Sequence, residues 1–280
     1  MKSKKTNKFK KTYRIASKFL SFLIIKITAP IIRKLGHNIS PALDKVNIFN
    51  YNYPTDTNRL VFKKNKDSFS KILIDLSLSN SNLCNLGKKF STNKSPINLN
   101  GHRAGYTALY DLLFTHMKDK KIVLAEIGIE KNSSMKMWRS FFSKATIHGF
   151  EYQEQLIKKA KKDKLINTHY HKIDVNYDLS INDSFKKTKN KFDIIIDDST
   201  HIFEDQIRII KNCHKYLNNK GILIIEDIYK FRYKHCEQKY YNNLKGIKKY
   251  FYDIMFIEIN HVNNFTASWK CEKILLLIKK

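Results

Sequence analysis

Phe192-Asp-Ile-Ile-Ile-Asp-Asp-Ser-Thr-His201 and, one helical stretch later, Gly221-Ile-Leu-Ile-Ile-Glu-Asp-Ile228 are the two segments that decide the fold. Each is a short run of branched apolar residues that closes on a pair of acids. Runs of this length read as strands buried on both faces. Between them Phe203, Ile207, Ile210, Cys213/His214 and Leu217 recur at a helical period, and Asn218-Asn-Lys-Gly221 turns the chain into the second run. Strand, amphipathic helix, strand is the unit of a parallel sheet.

The same alternation extends outward. Upstream, Tyr106–Met117 has a helical apolar period, Lys121–Gly128 reads as a buried strand, and Ser133–Phe142 as a helix with Met137 and Trp138 inward. Thr146–Phe150 is a strand closing on Glu151, 153–162 a Lys-rich helix and Thr168–Lys172 a strand ending near Asp174, while 177–191 reads as a loop or short helix. Downstream, a helix around 237–250 precedes strands at Asp253–Ile259 and Lys273–Ile278. The expected fold is α/β: a doubly wound, mostly parallel, seven-stranded sheet with an N-terminal helical or irregular extension. Ligands of such sheets sit beyond the carboxyl ends of the strands, where Gly128, Glu151, Asp174, Asp197, Asp198, His201, Glu226 and Asp227 fall.

The expected organisation is a basic tail and apolar amphipathic helix over 1–35, an accessory or lid region over 36–117 and the main domain over 118–280. The 280 residues carry 53 Lys+Arg against 25 Asp+Glu, a net charge of +28. Eleven of the basic residues and no acid lie in residues 1–34. Phe19–Ile32 is apolar but interrupted by Lys26, and falls short of the roughly 20 residues of a bilayer span. Lys11, Arg14 and Lys18 share one helical face, which suits peripheral contact with an anionic membrane as well as packing on protein or on a second copy of the chain. No zinc finger, aromatic-basic strand or compact arginine patch points to nucleic acid, which is not expected as a partner. The four scattered cysteines form no CxxC, which suits a reducing compartment; a cytoplasmic location, peripheral on the membrane face, is expected.

Glu126-Ile-Gly-Ile-Glu-Lys-Asn-Ser-Ser134 joins a strand to a helix. Gly128 permits close backbone approach, Ser133 and Ser134 sit at a helix start, and Glu151 has the acceptor oxygens a ribose diol needs. Neither GxGxxG nor a Walker A pattern is present. The loop resembles the E-x-G-x-x-x-G loop of class I S-adenosylmethionine-dependent methyltransferases. That resemblance implies S-adenosylmethionine as cofactor, held by Gly128, Glu151 and Asp174; Ser134 and Asp197 are further candidate contacts, and Glu126 either braces the loop or meets the cofactor amine. Asn132 stands where the second glycine is expected, and Asn tolerates a left-handed backbone better than most residues.

Asp197-Asp-Ser-Thr-His201 and Glu226-Asp227 end neighbouring strands, so their carboxylates converge and repel unless protonated or neutralised by a cation. Oxygen donors of this kind favour Mg²⁺ or Mn²⁺, and an imidazole alongside is a fit general base. Asp198 is equally suited to capping the following helix, and Glu226/Asp227 to pairing with lysines. The whole stretch resembles the D-D-G-S-H…D-Q…G-G…I-E-D pattern of metal-dependent macrolide-sugar O-methyltransferases and the related cephalosporin hydroxylase family. Ser199 and Thr200 replace the pattern's G and S. The resemblance implies Mg²⁺ on Asp198, Glu226 and Asp227, His201 as the base, and a hydroxylated sugar or glycan as acceptor. Lys89–Lys94 and His102–Thr107, with Tyr110, resemble that group's segment ahead of the cofactor domain, as a lid or a brace. A nucleic-acid methyltransferase and a non-catalytic scaffold in glycan assembly are the other readings.

Overall fold

The computed structural model describes residues 60–63, 68–76, 79–99, 103–229, 235–261 and 271–280. The N-terminal helix expected within 1–35 lies outside them. Among the described residues, nine strands form one sheet in the order β1-β2-β8-β9-β7-β6-β3-β4-β5. They are β1 (Leu60–Lys63), β2 (Ser70–Asp75), β3 (Val123–Ile127), β4 (Thr146–Glu151), β5 (Thr168–Lys172), β6 (Phe192–Asp197), β7 (Leu217–Tyr229), β8 (Phe251–Asn260) and β9 (Cys271–Lys279). Strands β5, β4, β3, β6 and β7 run parallel, and β9 inserts antiparallel between β7 and β8. This is a Rossmann-like α/β sheet, mixed and mostly parallel.

The expected count of seven strands is corrected to nine. Ser70–Asp75 pairs in parallel with Met255–Asn260 of β8, and β1 pairs antiparallel with β2. Leu60–Lys63 and Ser70–Asp75, placed by the sequence in an accessory region, thus extend the sheet edge. Charge helps hold them: Lys71 Nζ lies 2.5 Å from Glu258 and 3.0 Å from Glu237, which also takes Lys273 at 2.8 Å.

Seven α-helices flank the sheet among the described residues. On one face, α1 (Asn82–Lys89), α2 (Tyr106–Phe114), α3 (Ser133–Phe141) and α4 (Glu154–Lys162) bury Leu83, Tyr110, Phe114, Trp138 and Ala160 against Leu124, Ile147, Ile194 and Ile224. On the other, α5 (Asp178–Lys187), α6 (Phe203–Cys213) and α7 (Glu237–Leu244) bury Phe185, Ile210 and Tyr240 against Phe150, Ile195, Leu223 and Leu277. Each such fully buried side chain contributes about 1.5–3 kcal/mol, so the strand ends stand on a rigid base. Helix α5 occupies the stretch left between loop and short helix; burial of Ile181 and Phe185 settles it in spite of poor local propensity.

At the β4–β5 edge His148 Nδ1 lies 2.9 Å from His171 Nε2. Burial, helped by His171 and His169, lowers the His148 pKa to about 4, and burial with Lys279 and Lys215 does the same for His214. The unfolded chain takes up these protons near pH 6.5 while the folded one resists to about pH 4. Stability is therefore complete above pH 6.5 and falls as the pH drops from there to about 4. Melting temperatures across that interval check this; His148→Gln flattens the slope, and a flat wild-type profile contradicts it.

Candidate active site

The chain passes from β3 into α3 through three left-handed residues: Gly128 (φ 87°), Glu130 (φ 41°) and Asn132 (φ 65°). The Asp198 N–H donates to the Ile127 carbonyl at 2.8 Å, drawing the turn after β6 against the turn after β3. A Cβ at position 128 would stand 2.2 Å from the Asp198 carbonyl oxygen, so this glycine serves backbone contact between the two turns. Asn132 adopts the left-handed angle that its place in the loop requires. Its buried side chain donates to Asp163 at 2.9 Å and accepts from the Tyr170 hydroxyl at 3.1 Å.

Beside this loop are two cavities that share Gly128, Glu151, Gln153 and Ser199 in their walls. The larger, about 540 Å³, also takes Ser133, Ser134, Asp198, His201, Glu226 and Asp227; the smaller, about 270 Å³, takes Asp174. Glu151 closes the loop by accepting the Ile129 and Glu130 N–H groups at 3.3 and 3.2 Å on Oε2, and the Gln153 N–H at 2.9 Å on Oε1. A carboxylate has about four lone-pair positions, so Glu151 retains acceptor capacity toward a ligand.

Two predicted residues stand elsewhere. Glu126 is fully buried on the Trp138 face of the sheet, accepts the Trp138 Nε1–H at 2.8 Å and lines neither cavity. Asp197 lines neither cavity, accepts the Ser199 hydroxyl at 2.6 Å, and is driven by burial to a pKa of about 6. The alternation of β6 explains this: Ile194 and Ile196 share the Trp138 face, so Asp197 turns the other way, towards Cys213, while Asp198 is already past the strand end.

Glu226 and Asp227 are neighbours in β7, where consecutive side chains ordinarily diverge. A bulge brings both to the larger cavity. From Ile225 to Ile228 β7 advances three residues while β9 moves only from Leu275 to Lys273, and Asp227 takes φ 55°. Gln206 secures the bulge by donating its Nε2–H to the Glu226 carbonyl at 3.0 Å. From α2, spaced one turn apart, the Tyr110 hydroxyl donates to Glu226 Oε1 at 2.6 Å and the Tyr106 hydroxyl to Asp227 Oδ1 at 2.7 Å. Burial and the adjoining acids raise both phenols well above their ordinary range, so they stay protonated donors.

Asp198, His201 and Asp227, all half-buried, each offer one ligand atom within 4.8 Å of the others. His201 Nε2 lies 3.4 Å from Asp227 Oδ2 and 3.8 Å from Asp198 Oδ1, on a backbone at φ 55°. Strain of this kind gathers at functional sites. The sequence reading placed Lys94 in the lid or brace segment Lys89–Lys94 and gave it no role among the acids. The residue is 4% exposed, and its ammonium lies 2.6 Å from Asp198 Oδ2, contacts Glu226 Oε2 and stands 3.4 Å from Glu126 Oε1. Burial alone would lower its pKa; the three carboxylates overcome that and raise it well above 10.5. Burial, tempered by Lys94 and reinforced by Asp198 and Asp227, raises Glu226 well above the carboxylate range. No local spacing signals Lys94, because Asp198 and Glu226 are 104 and 132 residues away in sequence.

Three carboxylates, Glu126, Asp198 and Glu226, therefore face one ammonium, and Asp227 adjoins them without a contact to it. The remaining negative charge and the oxygen and imidazole donors fit a hard divalent cation on the cavity side, at Asp198 and Asp227. The glycine turn, the serines of the α3 start and Glu151 leave room for an elongated nucleoside ligand across the two cavities.

Three solved structures share partial likeness. The MycE methyltransferase from the mycinamycin biosynthetic pathway, in complex with Mg, SAH and mycinamycin VI, is 23% identical over 53% of this chain and 39% of its own, with a TM-score of 0.46. Cofactor-bound Rv0187 from MTB is 12% identical over 61% and 78%, TM-score 0.45. PKMT2 from Rickettsia typhi in complex with AdoHcy is 19% identical over 40% and 22%, TM-score 0.34. The chain thus spans only 39% of the length of the MycE chain. No curated protein matches it. Residues 132–268, from the Asn132 turn past the Glu226–Asp227 bulge, match the family model of a methyltransferase domain.

Proposed function

We propose that the protein is an S-adenosylmethionine-dependent O-methyltransferase that acts on a sugar hydroxyl, in a glycan or a glycosylated small molecule, with Mg²⁺ or Mn²⁺ at its acid cluster. One observation carries this reading: Asp198, His201 and Asp227 converge on the wall of the same cavity that Gly128, Ser134 and Glu151 line. The match of residues 132–268 to a methyltransferase domain supports it.

When bound, the cofactor supplies an electrophilic methyl group and the cation lowers the pKa of a hydroxyl beside it. Glu151 accepts from the ribose hydroxyls, Ser133 and Ser134 line the cofactor loop, and Asp174 faces the cavity for the base. Asp198 and Asp227 hold the cation; Glu226, engaged by Lys94 and Tyr110, stands behind them. His201 takes the acceptor's proton on Nε2 as the oxygen gains the methyl, and the two adjacent carboxylates stabilise the imidazolium formed. The fixed cavity contributes by holding donor and acceptor in line. A vicinal diol offers two oxygens to one cation, which favours a sugar.

Transfer of labelled methyl groups to a panel of sugars and glycans tests the proposal. Activity lost in EDTA and restored by Mg²⁺ or Mn²⁺ is expected; transfer indifferent to EDTA, or preferring RNA or DNA, contradicts it. In the same frame Glu151→Gln, which exchanges a charged acceptor for a neutral one, weakens S-adenosylhomocysteine binding about tenfold. Calorimetry checks this, and an unchanged affinity would remove the ribose from the end of β4.

A further inference from the structure

Lys94 is not a surface lysine that happens to meet acids. Its carbonyl accepts the Thr107 N–H at 3.1 Å, the neighbouring Ser95 hydroxyl donates to the Cys84 carbonyl at 2.7 Å, and Gly87 leaves the space that Ser95 fills. The loop is clamped between α1 and α2, and it delivers the ammonium into the interior. There it takes the far oxygen of Asp198, Oδ2, and Glu226 Oε2. The oxygens turned towards His201 are the others, Asp198 Oδ1 and Asp227 Oδ2. The acid cluster thus has two sides, and only one of them is open for a dissolved ion.

We propose that Lys94 is a tethered internal cation that occupies the Glu226 side of the acid cluster, restricting a divalent ion to the Asp198–Asp227 side and keeping that ion weakly held and exchangeable. This rests on the metal-dependent reading above. Opposite charges a few ångströms apart in a poorly polarisable interior interact strongly. A fixed positive charge bonded to one oxygen of Asp198 therefore lowers the affinity of the other for a dication. It also denies the ion a third carboxylate, Glu226. In return the buried acids are partly neutralised when no metal is present, so the site is preformed before the ion arrives. A buried ionic group left without its partner is strongly destabilising; Lys94 is what prevents that in the metal-free protein.

The test is Mn²⁺ titration of the full chain, with free Mn²⁺ read by electron paramagnetic resonance, and thermal melting in parallel. Lys94→Met removes the competing charge and releases Glu226, so Mn²⁺ binding tightens tenfold or more, and its metal-free melting temperature, lower than wild type, recovers when Mn²⁺ is added. The double variant Lys94→Met with Glu226→Gln removes both partners and leaves the net charge unchanged. It folds without metal and binds Mn²⁺ within about threefold of wild type, which keeps the proposal testable if the single variant is unfolded. Unchanged or weaker Mn²⁺ binding in Lys94→Met overturns the role of Lys94 while sparing the metal site. A tenfold loss in the double variant also overturns it, by making Glu226 a ligand. Absence of Mn²⁺ binding in wild type and variants alike overturns it together with the metal-dependent reading.

Discussion

His201→Ala loses methyl transfer by a factor of about 10²–10⁴, the range a positioned general base contributes, while S-adenosylhomocysteine and Mn²⁺ affinities stay within about threefold of wild type. The imidazole lies 3.4 Å from Asp227 and 3.8 Å from Asp198, in a turn whose backbone is fixed on both sides of it. The Thr200 hydroxyl donates to Asp205 at 2.8 Å, and His235 Nε2 lies 3.1 Å from the His201 carbonyl. Loss of the side chain therefore removes the proton acceptor without dismantling the turn. Single-turnover kinetics with saturating cofactor, alongside binding measurements, separates the outcomes. A tenfold loss of Mn²⁺ affinity would make His201 a metal ligand, and retention of transfer would place the base elsewhere.

Gly128→Ala is the second large effect, and it acts through the backbone. The new methyl would stand 2.2 Å from the Asp198 carbonyl oxygen and 2.8 Å from the Ser199 Cα, on a residue at φ 87°. Neither neighbour is a flexible side-chain end that can swing away. Overpacking of this kind costs about 1–3 kcal/mol and a left-handed non-glycine residue about 1–2 more, so a loss of roughly 2–5 kcal/mol is expected. At about 2–4 °C per kcal/mol for a chain of this size, the melting temperature falls by roughly 10 °C. Because the clash pushes on Asp198 itself, cofactor and cation binding are lost together in whatever folded protein remains. A variant with wild-type melting temperature and intact ligand binding would show that the two turns do not press on each other.

The sequence made most strands from β3 to β9 readable for a physical reason: β3, β6 and the inner part of β7 are apolar runs buried on both sides and ended by polar residues at a turn, whereas the polar edge strand β5 was readable only from its place in the alternation. Strand β2 was ambiguous because Lys71-Ile-Leu-Ile-Asp is short and its partner, β8, lies about 180 residues further on. The acids were visible as a group, and their side-by-side arrangement followed from neighbouring strand ends. Their division of labour was not visible. Asp197 and Asp198 look alike in sequence, yet strand alternation sends one to the opposite face of the sheet. Glu226 and Asp227 should diverge by the same rule, and a bulge makes them converge. Lys94 was legible only as part of the Lys89–Lys94 segment, with no pairing to the acids, since its three acidic partners come from three distant places in the chain. The Asn132 departure was readable in full: a left-handed turn accepts Asn, and the structure places it there at φ 65°.

The most direct test of the central claim, a cofactor pocket beyond β3 and β4 with the cation belonging to the acceptor side, is calorimetric titration of the folded protein with S-adenosylhomocysteine, first with Mg²⁺ and then with EDTA. Micromolar binding that persists in EDTA is predicted, because Glu151 and the Gly128 loop hold that ligand with no contribution from Asp198 or Asp227. No binding in either condition would contradict the methyltransferase reading outright.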